Sequence, residues 1–252
     1  YHTLLWGAGQ GFPDWWDGLS EEASKAAFTT WLANIAAKFN PAGFNVLNEI
    51  ADGHQTAGTT KIVNQLGGGG NLNAAVLYIF EQAKKYFPNS TLYLNDYNML
   101  STNDATRVQI CQIIKLVNEL NQASEGKNLI DAVGCQSHYF TVDDLTIDQI
   151  NTALDYITEN TGLPIHITEL DISGNTDEGL ENFSEELQFE RFRRIFPALY
   201  THPNVKRITL WGYLIGETWR YDSKGIDTGL VYRNGTGKRN SLKWLEKHYL
   251  NK

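Results

Sequence analysis

The chain has 252 residues, with 21 Lys and Arg against 29 Asp and Glu, a formal charge of −8. Its 42% hydrophobic and 12% aromatic content supplies a sizeable core and excludes wholesale disorder. The acidic balance argues against a nucleic-acid binder, which carries a basic face, and no apolar run approaches the ~18 residues of a membrane span. Two cysteines, Cys111 and Cys135, are too few for a disulfide scaffold and read as buried free thiols, compatible with a cytosolic or a secreted home. The chain does not begin with Met, and its one Met is Met99, so it reads as a processed or excised piece with no signal peptide left to see.

In chain order, His2 to Trp6 reads as a strand. Ser20 is a good helix N-cap, with Glu21 and Glu22 in the first turn and apolar residues at helical spacing to Phe39. A strand at Gly43 to Asn48 is followed by a long polar loop that ends in the glycine run 67–70. That run lacks the Lys-Ser/Thr of a phosphate loop and reads as a surface loop. Leu72 to Phe87 is a helix stopped by Pro88. The strands Thr91 to Asn95 and Ala132 to Gln136 alternate with helices at Asp104 to about Ser124 and Ile147 to Asn160. Then come a strand at Ile165 to Leu170, a helix at Phe183 to Tyr200 that Pro197 kinks or ends early, a strand at Val205 to Trp211, and a closing helix from Ser241. Strict strand–helix alternation predicts an α/β fold with a parallel sheet and helices outside. The length suits a whole (β/α)8 barrel, but only six strand–helix units can be counted.

In a parallel barrel, chemistry gathers at the C-terminal ends of the strands. Those ends carry Asn48-Glu49, Asn95-Asp96-Tyr97, Gln136-Ser137-His138, Glu169-Leu170-Asp171 and Trp211, with Trp219 in the loop beyond. Singly, each has a bland reading as a cap, a solvated side chain or core. Together, two Glu residues among amides, an imidazole and indoles point to glycoside hydrolysis. One carboxyl must donate a proton to the leaving oxygen while the other stays ionised to attack the anomeric carbon. Flat aromatic rings cover the apolar C–H face of a pyranose. Metal and nucleotide chemistry are disfavoured, because the six His residues form no HExxH motif and there is no Walker A, dinucleotide or GxSxG fingerprint.

The strings HTLLW, FNVLNE, LYLNDYN, VGCQSHY, IHITELDI and ITLWGYLIGETW, in that order, resemble family 10 glycoside hydrolases, retaining endo-β-1,4-xylanases on a (β/α)8 TIM barrel. The resemblance runs from Tyr1 to about Leu250. It implies that Glu49 is the general acid/base and Glu169 the nucleophile. It implies that Asn48 binds the 2-hydroxyl of the sugar at subsite −1, that Gln136 also touches that sugar, and that His138 stands beside the nucleophile, oriented by Asp171. Trp211 and Trp219 would wall the glycone side, Asn95 and Tyr97 would line the aglycone side, and Trp15 would close over subsite −1. No metal and no cofactor are implied.

Two departures stand out. The family usually has His after the Trp that matches Trp6, and here Gly7 takes that place at the cost of one polar contact. HTLLW also matches the third barrel strand, so residues 1–252 form a C-terminal portion of one catalytic domain that lacks the first two strand–helix units and their Lys-bearing cluster. Implied partners are therefore xylan or xylo-oligosaccharide, and either an N-terminal fragment carrying the missing strands or a carbohydrate-binding module inserted in the parent protein. Two rival readings are a weakly active or non-catalytic xylan-binding fragment and a retaining β-glucanase. The sequons at Asn89, Asn182 and Asn234 are silent in a bacterial source, which together with an extracellular or cell-surface location is the expectation.

Overall fold

The computed structural model describes residues 1–8, 12–51, 54, 57–67, 69–235 and 237–250. In chain order the elements are β1 (Leu5–Trp6), α1 (Glu21–Ala36), β2 (Gly43–Asn48), α2 (Ala57–Leu66), α3 (Leu72–Tyr86), β3 (Thr91–Asp96), α4 (Ala105–Glu125), β4 (Ala132–Cys135), α5 (Tyr139–Val142), α6 (Ile147–Thr161), β5 (Ile165–Leu170), α7 (Glu185–Thr201), β6 (Val205–Leu210), α8 (Tyr221–Lys224) and α9 (Asn240–Leu245), with a π-helical turn Glu246–Leu250 at the end. The six strands hydrogen-bond in chain order from β1 to β6, and β1, β2 and β3 run parallel. Among the described residues β1 and β6 each have one strand neighbour, so each presents an open edge.

Two compact units are present. The first comprises residues 1–97, 103–134 and 156–166, and the second residues 98–102, 135–155 and 167–252. In the first, the Ser20 side chain accepts from Ala23 N and starts α1, which then buries Ser24, Phe28, Leu32 and Ile35, one per turn. Strand β2 is buried along its whole length, as a parallel strand covered on both faces should be. Phe44 within it meets the rings of Tyr1 and Phe87 at 4.8 and 4.6 Å. The β2–β3 register slips between Asn45 and Leu47, a bulge just before Asn48 and Glu49. In the second unit, Thr146 and Gln149 form a reciprocal capping box at the start of α6, and α7 buries Phe192, Ile195 and Leu199. Both cysteines are buried free thiols.

The structure departs from the sequence reading in four places. The polar stretch after Glu49 contains α2, which buries Gly58, Ile62 and Leu66, one residue per turn on a single narrow face. Residues 52, 53, 55, 56 and 68 of that stretch and of the glycine run lie outside the described residues. Strand β1 is only two residues long, although Leu4 N still donates to Asn45 O, and Asn45 N to Tyr1 O. Pro197 does not end α7. The lost N–H bond is outweighed by burial of Phe196, Ala198 and Leu199 around it, and Thr201 Oγ1 donates to the Pro197 carbonyl at 2.8 Å. Between Gln136 and Ile147 lies one more short helix, α5, begun directly after His138.

Helix α4 ends on Gly126 in the left-handed region (φ 70°). The turn that follows is fastened back by Asn118, whose amide donates to Ile130 O at 2.9 Å and accepts from Leu129 N at 3.0 Å and Ile130 N at 2.9 Å. This side chain is buried. Asn118→Ala strands three buried backbone groups and should cost about 3 kcal/mol in urea unfolding, whereas Asn118→Asp, which keeps the two accepting contacts, should cost less. A loss below about 1 kcal/mol for the alanine variant would contradict this account.

Candidate active site at the strand ends

Each unit gathers its own set of polar strand-end residues. In the first, Glu49 follows β2 directly with φ 55°, in the left-handed region. That conformation costs a non-glycine residue on the order of 1–3 kcal/mol and persists only where the surroundings enforce it. The enforcement is visible. Glu49 N donates to Asn95 O at 2.9 Å, the Asn48 amide donates to Glu49 Oε1 at 3.2 Å, and Asn95 Nδ2 donates to Asn48 Oδ1 at 2.8 Å. Asn48, Glu49 and Asn95 thus form one connected group, with Asn48 and Asn95 fully buried.

Gly7 approaches the same backbone from β1. Its N–H donates to Asn48 O at 2.8 Å, and a Cβ built on it would lie 1.9 Å from the Glu49 carbonyl oxygen. Gly58, in the first turn of α2, comes as near: its Cβ would fall 2.5 Å from the carbonyl oxygens of both Trp6 and Gly7. The absent His side chain is therefore more than one missing contact. Here the backbone occupies the space that any side chain at position 7 would need.

Asp96 at the end of β3 is fully buried. Its Oδ2 accepts from Ala51 N at 3.1 Å, and its Oδ1 accepts from Tyr97 N at 2.9 Å and lies 2.6 Å from His54 Nδ1. Burial pushes its carboxyl above the usual carboxylate range, against the pull of His54 and the Ala51 N–H, and the Glu49 charge adds to the rise. The Tyr97 ring stacks on His54, centroids 3.7 Å apart and planes 15° apart. Burial, helped by the charges of Asp96 and Glu49, pushes the Tyr97 phenol up to about 12, so it remains a donor. His54 was not legible from sequence, since nothing in the loop after Glu49 marks it as a partner of a residue 42 positions away.

The second unit builds its group around Asp171. The Asp171 carboxylate accepts from Tyr139 N at 2.7 Å and from Trp219 Nε1 at 2.8 Å, and lies 3.2 Å from His138 Nδ1. His138 Nε2 lies 3.4 Å from Glu169 Oε2. Glu169, Asp171 and His138 are at most 4% exposed. Burial pulls the His138 imidazole down, but the close carboxyls of Asp171 and Glu169 outweigh it and raise the group to about 9. At neutral pH a cationic imidazole thus bridges two carboxylates.

The turn that delivers His138 passes through Ser137 at φ 63°, and Glu169 N donates to Gln136 O at 3.1 Å. Trp211 and Trp219 stand 6.3 and 4.9 Å from the His138 ring. One face of Trp219 is covered by the Arg220 guanidinium at 3.9 Å, a contact that their adjacency in sequence allowed but did not announce. Trp15 is 61% exposed beside Trp16, on the rim of an apolar cavity of about 530 Å³ lined also by Leu5, Phe12 and Trp31. Among the described residues no group of three His, Cys, Asp or Glu could hold a metal, and no helix is long and apolar enough to cross a membrane.

Because the His138 pKa is raised above its ordinary 6.5 in the fold, its contribution to stability is complete below pH 6.5 and is lost as pH rises through about 9. The difference in Tm between the parent chain and His138→Gln should therefore shrink from pH 6 towards pH 9.5. A difference that stays constant across that range would contradict the bridging imidazolium.

Comparison with known proteins gives one consistent answer. The sequence matches the family model for Glycosyl hydrolase family 10 over residues 1–248. It is 36% identical over 251 residues to endo-1,4-beta-xylanase B of Cellvibrio japonicus, covering 99% of this chain and 36% of that protein. It is 28% identical to endo-1,4-beta-xylanase A of Thermotoga neapolitana over 87% of this chain and 21% of that one. The chain thus spans between about a fifth and just over a third of the length of these relatives. Among solved structures, a GH10 protein from Paenibacillus barcinonensis superposes with a TM-score of 0.78 at 22% identity, covering 98% of this chain and 75% of that one. Native xylanase 10B from Thermotoga maritima gives 0.77 at 23%, covering 100% and 75%. The fold is therefore the α/β architecture of the (β/α)8 barrel, of which this chain supplies six strand–helix units, and the chain belongs to glycosyl hydrolase family 10.

Proposed function

We propose that this chain is the C-terminal portion of a catalytic domain that hydrolyses internal β-1,4-xylosidic bonds by retaining double displacement. Glu169 attacks the anomeric carbon, and Glu49 protonates the leaving oxygen and then activates water. The observation that carries the reading is the setting of Glu169. A carboxyl at a strand end, 4% exposed and beside a His138 that Asp171 holds in place, is set as a nucleophile in a polar, buried pocket. Family membership and the xylanase names of its relatives support the substrate.

The remaining roles follow the same reading. Asn48 and Gln136 bind the sugar at subsite −1, with Asn48 at its 2-hydroxyl. Trp211 and Trp219 wall the glycone side, Asn95 and Tyr97 line the aglycone side, and Trp15 closes over the site. Because xylan is too large to be taken up whole, the enzyme works outside the cell or at its surface.

A second reading has its own support. Strand β6 exposes Lys206, Arg207 and Thr209, β1 is short, and the 530 Å³ cavity beside it is lined by Trp15, Trp16 and Trp31. Both sheet edges suit two further strands, brought by an N-terminal segment or joined across an inserted carbohydrate-binding module. Until they are present, the chain would bind xylan while turning it over weakly.

Glu169→Ala should lower kcat on xylan by about 10⁴-fold or more. Glu49→Ala should lose far less on an aryl xylobioside whose leaving group needs no proton. Near wild-type turnover of xylan by Glu169→Ala, or a stronger activity on β-glucan than on xylan, would overturn the assignment. Adding a polypeptide with the first two strand–helix units and finding no gain would reject the second reading.

A further inference from the structure

We propose that Asp96 and His54 are positioning residues for Glu49, a clasp that holds the left-handed backbone from which the acid/base carboxyl is aimed. The inference rests on the acid/base reading of Glu49 given above. It starts from a cost: a Glu at φ 55° relaxes out of that region unless the chain on both sides is held. On the N-terminal side the hold is the strand itself, through Glu49 N to Asn95 O. On the C-terminal side the chain has left the sheet, and Asp96 takes over. Its Oδ2 accepts from Ala51 N, two residues past Glu49. Its Oδ1 contacts His54 Nδ1 at 2.6 Å, and His54 N in turn donates to Ala51 O at 3.2 Å. Ala51 and His54 are thus tied to each other and, at one point each, to one buried carboxylate.

The polarity of the chain of contacts is consistent. With Asp96 as acceptor, Nδ1 of His54 carries the proton, and Nε2 accepts from the Thr106 hydroxyl at 2.9 Å in the first turn of α4. Asp96 also accepts from Tyr97 N, and the His54 ring covers one face of Tyr97. The same clasp that aims Glu49 therefore also fixes the plane of the Tyr97 ring. Its members come from the loop after β2, the end of β3 and the start of α4, so no single element could hold Glu49 alone.

The test compares kcat/KM for xylan, whose leaving alcohol must be protonated, with kcat/KM for a dinitrophenyl xylobioside, whose leaving group departs unaided. It uses the polypeptide that carries this chain. Asp96→Asn and His54→Ala should lower the xylan value about 10- to 100-fold, the scale of an ångström-level misplacement, and leave the aryl value within about threefold of wild type. Thr106→Val, an isosteric change remote from Glu49, should give a smaller loss of the same kind, and Thr106→Ser should restore the wild-type value. Equal losses on both substrates, or no loss in any of the four variants, would overturn the inference. Glu49→Ala is run beside them. If it keeps wild-type xylan hydrolysis, the acid/base reading has failed. If it shows the selective loss and the clasp variants do not, the clasp alone has failed.

Discussion

A carboxylate taken out of water costs several kcal/mol unless donors meet it, and the loops beyond these strands are arranged around that demand. Asp96 is met by two backbone N–H groups and His54. Asp171 is met by a backbone N–H, an indole N–H and His138. Asp143, which burial pushes up to about 7 against the pull of Arg191, is met by Ser173 and by that arginine at 3.1 Å. Asp227 is met by Arg239 at 2.7 Å. In each case at least one donor comes from chain 12 or more residues away, so satisfying the charge also fixes a loop. Acids at strand ends and in the loops beyond them thus order what surrounds them.

Strain is concentrated at the same places. Glu49 and Ser137 are non-glycine residues in the left-handed region, and each directly follows the end of a strand or lies one residue beyond it. Each turns the chain so that a functional side chain leaves the sheet: Glu49 itself in one case, His138 in the other. Gly7 and Gly58 serve the first turn differently. Gly7 lets the chain after β1 come so near the Glu49 carbonyl that the peptide has little room to rotate, and Gly58 lets α2 press on the carbonyls of Trp6 and Gly7. Backbone hydrogen bonds, the close glycines and the buried Asp96 together stabilise a conformation that none would hold alone.

Much of this was legible in the sequence, and the limits have physical causes. The strand ends could be read because short stretches carrying apolar residues, such as residues 43–47 and 165–168, stop at amides and acids, and the resemblance to family 10 gave those positions roles. Helix α2 was missed because its buried face is one residue wide, with a glycine among its three members. Pro197 does not end α7, because the rule about helix interiors is a cost, and here packing exceeds it. His54 could not be found at all, since its meaning lies in contacts with residues 42 and 52 positions away, made only when the barrel wall forms.

The central claim is the proposal that Glu169, set beside His138, is the nucleophile. A 2-deoxy-2-fluoro xylobioside with a dinitrophenyl leaving group forms the glycosyl-enzyme and then stalls, because fluorine slows its hydrolysis. Intact mass after reaction should rise by one fluoroxylobiosyl unit, and digestion should place it on the peptide containing Glu169. An adduct on another residue, or hydrolysis of xylobiosides with inversion and no adduct, would contradict the account.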